Sequence, residues 1–203
     1  MNRSKTKQNY DKIILGIDPG TQVMGYGVIQ TSTESKSASP LLLRHGVIHL
    51  SKYNGHALKL KKIFERMLAL IDEFHPDEVA LEAPFYGKNV QSMLKLGRAQ
   101  GVAMSAALSR EIPISEYAPK KVKQSVTGNG NASKEQVAEM LKNLLIFPKG
   151  EAVRRAATIG PQLLDATDAL AVALCHHYHQ GQPQQRGKQS WKAFVDEHPG
   201  RVL

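Results

Sequence analysis

Residues 12–30, KIILGIDPGTQVMGYGVIQ, contain two apolar segments joined by a turn, and this stretch decides the fold prediction. The first segment, KIILGID (12–18), is short, apolar and rich in β-branched side chains, which is typical of a buried strand. The second, MGYGVIQ (24–30), is also strand-like, and the Pro-Gly-Thr turn between them indicates a hairpin. The folded core is therefore predicted to begin with an antiparallel pair whose first strand ends in an acidic residue, Asp18.

Alternating helices and strands are predicted beyond this hairpin. Short apolar segments predict strands at 41–50, 77–82 and 112–117. A helix is predicted at 56–74, because apolar residues recur there at helical spacing. Further helices are predicted at 89–108, directly after Pro119, from the Ser133–Gln136 capping box to about Leu145, and at 162–179. This element order predicts an α/β fold with a mixed sheet flanked by helices.

Composition indicates a folded protein that meets a polyanion. The 203 residues are 41% hydrophobic and 22% charged, and the net charge is +9. Residues 86–134 carry eight basic side chains and two acidic ones, which favours a basic face for nucleic acid or an anionic membrane. The alternative is that these bases only solvate helix faces.

Other sequence features narrow the class of protein. A single cysteine, Cys175, excludes an internal disulfide and favours a reducing cytosol. The absence of a long apolar run or a secretory signal predicts a cytoplasmic protein that does not bind a membrane. We expect one domain at 10–180, a basic N-terminal tail at 1–9, and a loosely ordered C-terminal tail at 181–203. Whether Trp191 and Phe194 in that tail dock on the domain is left open.

Acidic residues occur in three apolar segments of the sequence, where burial of a charge is unfavourable. Asp18 and Glu82 each end an apolar strand, and Asp165 and Asp168 share one face of the last predicted helix. Buried carboxylates that converge repel one another unless a cation neutralises them. Hard divalent cations prefer carboxylate oxygens, and four such groups can hold two Mg²⁺ about 4 Å apart for phosphodiester hydrolysis. Three of these acids also have a structural explanation. Asp18 could start a turn, Glu82 could pair with a lysine, and Asp165 could be an N-terminal helix residue that the helix dipole favours.

Histidines and the cysteine near the end of that helix are weaker candidates. His176, His177 and His179 fit a polar helix end that complements the helix dipole. His179 lies ~16 Å along the axis from Asp168, too far to share a metal with it. Cys175 has no local catalytic partner and is interpreted as a core residue.

Four segments resemble the RuvC family of bacterial Holliday-junction resolvases. They are ILGIDPGTQVMGYGVI, LEAPFYGKNVQSMLKLGRAQGVAM, EYAPKKVKQSVTGNGNASKEQV and LDATDALAVALCHHYH, in the family's order and across about residues 12–179. The resemblance implies an RNase H-like fold with a five-stranded mixed sheet. It also implies a homodimer that binds a four-way DNA junction and nicks two symmetric strands, with RuvA and RuvB as partner proteins.

The same resemblance assigns roles to individual residues. The catalytic and metal-binding acids fall on Asp18, Glu82, Asp165 and Asp168; the position of Asp165 is a histidine in some relatives. Two Mg²⁺ per site are implied, and Mn²⁺ is a possible substitute. DNA-contacting positions fall on Phe85, Tyr86, Lys88, Asn89, Lys121, Lys123 and Lys134. Phe85 would wedge at the branch point, or else be a core aromatic.

A homodimer needs a surface, and the helix at 89–108 is the candidate. Met93, Leu96, Gln100 and Met104 lie near one stripe of that helix. The alternative is that this stripe packs on the protein's own sheet.

The sequence has three alternative functions to that of a junction resolvase. GIDPGT resembles the phosphate hairpin of actin-like or sugar-kinase-like ATPases, but the chain has no second Asp-x-Gly-Thr motif and is too short for two lobes. The second alternative, a nuclease of the same fold that acts on RNA or on another branched DNA, fits the sequence better than the ATPase does. A non-catalytic junction-binding scaffold is the third, and the four intact acids argue against it.

Overall fold

Five strands form one mixed sheet, with the hairpin strand β1 at its centre. The strands are Lys12–Asp18 (β1), Val23–Thr31 (β2), Leu41–His49 (β3), Glu78–Glu82 (β4) and Ile114–Tyr117 (β5), in the order β3-β2-β1-β4-β5. β2 is antiparallel to both β1 and β3, whereas β1, β4 and β5 are parallel. This computed structural model describes residues 11–32, 39–84, 89–147 and 164–179, and it confirms the predicted five-stranded mixed sheet.

The helices in the described part follow the predicted order with small shifts at their ends. They are His56–Phe74 (α1), Val90–Leu108 (α2), Pro119–Thr127 (α3), Lys134–Leu144 (α4) and Leu164–His179 (α5). The Ser133–Gln136 capping box is present at the start of α4. β5 begins two residues later than predicted, at Ile114, which follows a proline that has no N–H for the sheet.

Two different sets of helices cover the two faces of the sheet. Leu15, Ile17, Val79 and Leu81 point to the face covered by α1 and α2. Ile14, Ile29 and Ala80 point to the face covered by α3, α4 and α5. Since strand side chains alternate between faces, Asp18 and Glu82 belong to the second face, the one that α5 covers.

Helix α5 lies unusually close to the centre of the sheet. A Cβ on Gly16 would lie 2.2 Å from the carbonyl oxygen of Ala169, and one on Gly27 would lie 2.6 Å from Leu170 Cδ2. Glycine at these two positions lets the helix backbone approach β1 and β2 directly. The helix is thereby fixed against the strand that ends in Asp18.

Some predictions concern segments outside the described residues. The tails at 1–9 and 181–203 lie there, so the proposed division of the chain stays a prediction. Within the described ranges, no helix is both long and apolar enough to cross a membrane.

Candidate active site

The carboxyl ends of β1 and β4 bring two acidic residues to one edge of the sheet. These strands are parallel, and Ile17 pairs with Leu81 in their register. Asp18 and Glu82 are the next residues along the two strands. They therefore end neighbouring strands side by side and on the same face, and each ends a strand as the sequence predicted.

Helix α5 adds a third acid to this edge. Asp168 lies in its first half, next to Ala169, whose carbonyl oxygen approaches Gly16 of β1. The side chain of Asp168 is 16% exposed, and its Oδ2 forms an ion pair with Lys134 Nζ at 2.5 Å. Lys134 is the first residue of α4, directly after the Ser133 cap. The capped helix thus delivers a lysine to a mostly buried carboxylate.

Electrostatics link Glu82 to the same group of residues. Burial, and then the negative charge of Asp168, raise the pKa of the Glu82 carboxyl to about 7. Lys134 and Lys123 act in the opposite direction on this pKa. Two acids and two lysines from four different elements therefore interact at one place. An acidic pair of this kind favours a bound cation, because a cation would lower the energy of both charged forms.

The described residues do not complete a metal centre. Among them, no group of three or more His, Cys, Asp or Glu side chains is arranged to hold a metal ion. Asp165 belongs to α5, but its side chain lies outside the described residues. The donor chemistry that is described, carboxylate oxygens alone, is the type that Mg²⁺ and other hard cations select.

The predicted DNA-contacting residues divide into four groups. Lys123 and Lys134 lie at the acidic site; Lys123 Nζ also donates to the Ala132 carbonyl at 2.7 Å. Lys121 lies beside the C-terminal half of α5: its carbonyl oxygen is 4.0 Å from Cys175 Sγ, and its Nζ is 5.2 Å from the ring centroid of Tyr117. Asn89 is exposed and caps α2 by accepting a hydrogen bond from Ser92 N. Phe85, Tyr86 and Lys88 lie outside the described residues.

The interpretation of the α5 histidines as a polar helix end is wrong for two of them. His176 and His177 are buried, at 6% and 8% exposure. His176 Nε2 lies 2.5 Å from Glu78 Oε2, and its Nδ1 lies 2.7 Å from the Tyr117 hydroxyl. His179 alone behaves as a helix end, since its Nδ1 donates to the Cys175 carbonyl at 2.8 Å. Cys175 is fully buried, as predicted.

Sequence reasoning missed the contact between Glu78 and His176. Glu78 begins β4 and Glu82 ends it, while His176 lies eight residues beyond Asp168 on α5. Hydrogen bonding from His176, and then from Lys12, lowers the pKa of Glu78 to about 2. The helix is thus held to β4 by a polar contact at the end of the sheet away from the acidic site. The available signal was an acidic residue at the start of a buried strand.

The predicted apolar stripe of α2 is also partly wrong. Gln100 is buried, and its side-chain amide donates to Glu116; Met104 packs against the core beneath α1 and α2. The apolar residues that remain exposed lie on another face. They are Val90, Leu94 and Leu108, at 68%, 52% and 55% exposure. Small residues, mostly alanines, form the inner face of this helix.

Comparisons with known proteins show that this chain is similar to nucleases. The family model for the crossover junction endodeoxyribonuclease RuvC matches residues 14–176. A RuvC from Cytophaga hutchinsonii is 56% identical over 202 residues, covering 100% of this chain and 94% of that protein. One from Christiangramia forsetii is 52% identical over 205 residues and covers both chains fully. The structure of Thermus thermophilus RuvC in complex with Holliday junction substrate matches with a TM-score of 0.68 and 30% identity, over 83% of this chain and 94% of that one.

Proposed function

Because the chain belongs to the RuvC family of crossover junction endodeoxyribonucleases, we propose that it resolves Holliday junctions by hydrolysing phosphodiester bonds in two symmetric strands. The observation that carries this proposal is the acidic edge formed by Asp18, Glu82 and Asp168, with Lys123 and Lys134 beside it. Carboxylates without basic neighbours would repel a DNA backbone. The two lysines allow a phosphate to approach the acids.

The acids are proposed as the ligands of Mg²⁺. Asp18, Glu82 and Asp168, with Asp165 from the first turn of α5, would hold up to two ions at the strand ends. A bound divalent cation supplies an activated water and stabilises charge on the leaving oxygen. Mn²⁺ has the same preference for carboxylate oxygens and is expected to substitute. The raised pKa of Glu82 supports this role, since a cation would favour its ionised form.

Lys134 has two partners in this proposal. In the described structure its ammonium group neutralises Asp168. With a cation bound to that carboxylate, Lys134 would be released to bind the phosphate next to the scissile bond, and Lys123, in the middle of α3, would hold a phosphate beside it. Lys121, Asn89 and the 85–88 segment with Phe85, Tyr86 and Lys88 are proposed to contact the junction around the acids.

A homodimer is proposed to match the two-fold symmetry of the junction. Two active sites related by a two-fold axis would nick two opposed strands at equivalent positions. The exposed apolar face of α2, with Val90, Leu94 and Leu108, supplies a surface that a second copy would cover. Gly97 and Gly101 lie on the same face, where a Cβ would meet nothing within 4 Å in this chain. This face replaces the stripe predicted from the sequence.

The family also implies partners and a place of action. We propose that RuvA and RuvB deliver the junction to this protein and that it acts in the cytoplasm. The net charge of +9 is in keeping with a DNA substrate.

Cleavage of a synthetic four-way DNA junction with Mg²⁺ tests the proposed function. Paired symmetric nicks are expected in the junction and not in a duplex of the same sequence. Asp18→Asn should abolish cutting and leave junction binding intact, because it removes a metal ligand and spares the lysines. Asp72→Asn, an acid paired with Arg110 on an exposed surface, is the matched control and should cut normally.

Two other results would each favour a different function. Tight junction binding without cutting, with either Mg²⁺ or Mn²⁺, would indicate a non-catalytic scaffold. Faster cutting of RNA or of another branched DNA would indicate a nuclease of the same fold with a different substrate. Loss of junction binding in Asp18→Asn would contradict the separation of cutting from binding.

A further inference from the structure

A second group of basic side chains lies on the other face of the sheet from Lys123 and Lys134. His56 and Lys59 belong to the first turn of α1, and Lys95 and Arg98 belong to α2, which packs beside α1. Lys95 and Arg98 are exposed, and Lys59 is partly exposed. We refer to these four residues as the α1–α2 basic patch.

His56 shows that the patch is a true cluster. Its pKa is lowered by burial first, and then by Arg98, Lys95 and Lys59 in that order. The three cations are therefore near enough to one imidazole to disfavour its charged form. His56 Nε2 is shielded from solvent and has no hydrogen-bond partner within the described residues. Four groups that can carry positive charge thus come from two helices to one place.

Among the residues that the structure describes, no acidic side chain neutralises the patch. Helix α2 contains no Asp or Glu, and the first turn of α1 has none either. Lys59 Nζ donates to two neutral oxygens, the Thr21 carbonyl at 3.2 Å and Gln22 Oε1 at 3.0 Å. Within the described ranges, neither Lys95 nor Arg98 takes part in an ion pair. Cations near a helix N-terminus are unfavourable unless an anion is bound, and this applies to Lys59.

The position of the patch relates it to the acidic site. Thr21 and Gln22, which hold Lys59, lie in the turn that follows Asp18. Helices α1 and α2 both begin at the same end of the sheet as the acids, because β3 and β4 finish there. The acidic edge therefore has basic groups on both sides: Lys123 and Lys134 on one face of the sheet, and the patch on the other.

We propose that the α1–α2 basic patch is a second phosphate-binding surface, which holds the backbone of junction DNA on the side of the acids opposite Lys123 and Lys134. The inference rests on the proposed function, since it takes DNA as the ligand. Phosphodiester groups supply the negative charge that the described neighbours of the patch do not. A four-way junction presents backbone from more than one arm, so one active site needs contacts on both sides.

The salt dependence of junction binding tests this proposal. In an Asp18→Asn background, the dissociation constant of a synthetic four-way DNA junction is measured across a series of salt concentrations. The slope of log affinity against log salt should fall by about 1 for each phosphate contact removed. We expect this decrease for Lys59→Ala and a larger one for Lys95→Ala combined with Arg98→Ala. Sedimentation and thermal unfolding of each variant report its assembly and its fold.

Two reference variants separate the possible outcomes. Lys142→Ala removes one positive charge at the far end of α4, where Lys142 pairs with Glu139, and should leave the slope unchanged. Lys123→Ala should lower it. If Lys123→Ala lowers the slope while the patch variants do not, the patch does not bind DNA and the proposed function stands. If the slope decreases only in the Lys95→Ala, Arg98→Ala double variant and that variant also loses the dimer, the proposal that the patch binds DNA is refuted. If the parent protein does not bind the junction at all, the proposed function itself fails.

Discussion

At Glu82, burial and the charge of Asp168 both raise the pKa, and this couples a proposed metal ligand to the stability of the fold. In the folded state the pKa is about 7, against an ordinary value of 4.5. A carboxyl group with a raised pKa favours folding fully below its unfolded value and loses this contribution as the pH rises through the folded value. At neutral pH the protein is therefore less stable than it would be with a neutral side chain at this position.

Glu82→Gln should stabilise the protein at high pH when divalent metal is absent. We expect the free energy of unfolding at pH 8 in EDTA to rise on the order of 1–3 kcal/mol, since the variant has no charge to bury. At pH 4 the gain should vanish, because wild-type Glu82 is then protonated in both states. Urea unfolding at the two pH values measures this. Glu139→Gln, at an exposed glutamate, should change little at either pH. An equal gain at both pH values would refute the electrostatic explanation.

The element that determines the geometry of the site is α5, which is fixed at two points along its length. The two glycines of β1 and β2 admit its backbone, and Asp168 lies next to the closest contact. Near its C-terminal end, His176 contacts Glu78 at the start of β4. Glu78 and Glu82 are four residues apart on the strand, and His176 and Asp168 are eight residues apart on the helix. These two separations correspond to similar distances along the strand and along the helix.

Gly16→Ala should disturb both the fold and the cutting. The added Cβ would meet the Ala169 carbonyl at 2.2 Å and the Ala173 Cβ at 2.8 Å, and the first of these is backbone that cannot rotate away. We expect a loss of roughly 1–3 kcal/mol in stability. Cleavage should also be slower at temperatures well below unfolding, because the Asp168 carboxylate shifts with the helix.

Gly46→Ala is the matched control for that variant. Its Cβ would meet the hydroxyl end of Tyr26 at 2.7 Å, on the α1–α2 face and away from α5. Cleavage below the unfolding temperature should therefore be normal. Thermal unfolding and junction cleavage are measured for both variants. Unimpaired stability and cutting in Gly16→Ala would show that the close approach of α5 is not required.

The strands and helices were easier to predict from the sequence than the contacts between them. Hydrophobic period, turn residues and the Ser133 cap indicated the strands and helices to within about two residues, because these signals are local. Asp18, Glu82 and Asp168 were found because a charge in an apolar segment is itself a signal. The Glu78–His176 contact joins residues 98 positions apart, and no local pattern reports it. In α2 the inward face is made of alanines such as Ala99 and Ala103, so a search for large apolar residues selected the wrong stripe.

For the whole molecule, the exposed apolar face of α2 is the feature that one chain does not explain. Leu94→Glu should make the protein monomeric, because a charge would be buried in the proposed contact. Paired nicks in the junction should then give way to single, slower nicks. Ile146→Glu, at a residue of similar exposure after α4, should leave the dimer intact. Analytical ultracentrifugation measures the assembly. A Leu94→Glu protein that remains dimeric would place the contact elsewhere.

The last described helix has a consequence for how the protein is made. A ribosome that stops before residue 164 releases a chain with β1 and β4 but without α5, and so without Asp168. Such a truncated product also leaves Gly16 and Gly27 uncovered at the centre of the sheet. An incomplete polypeptide therefore has neither the full set of acids nor a closed core. The acidic edge and the closed core are therefore completed in one step, by the last helix that the structure describes.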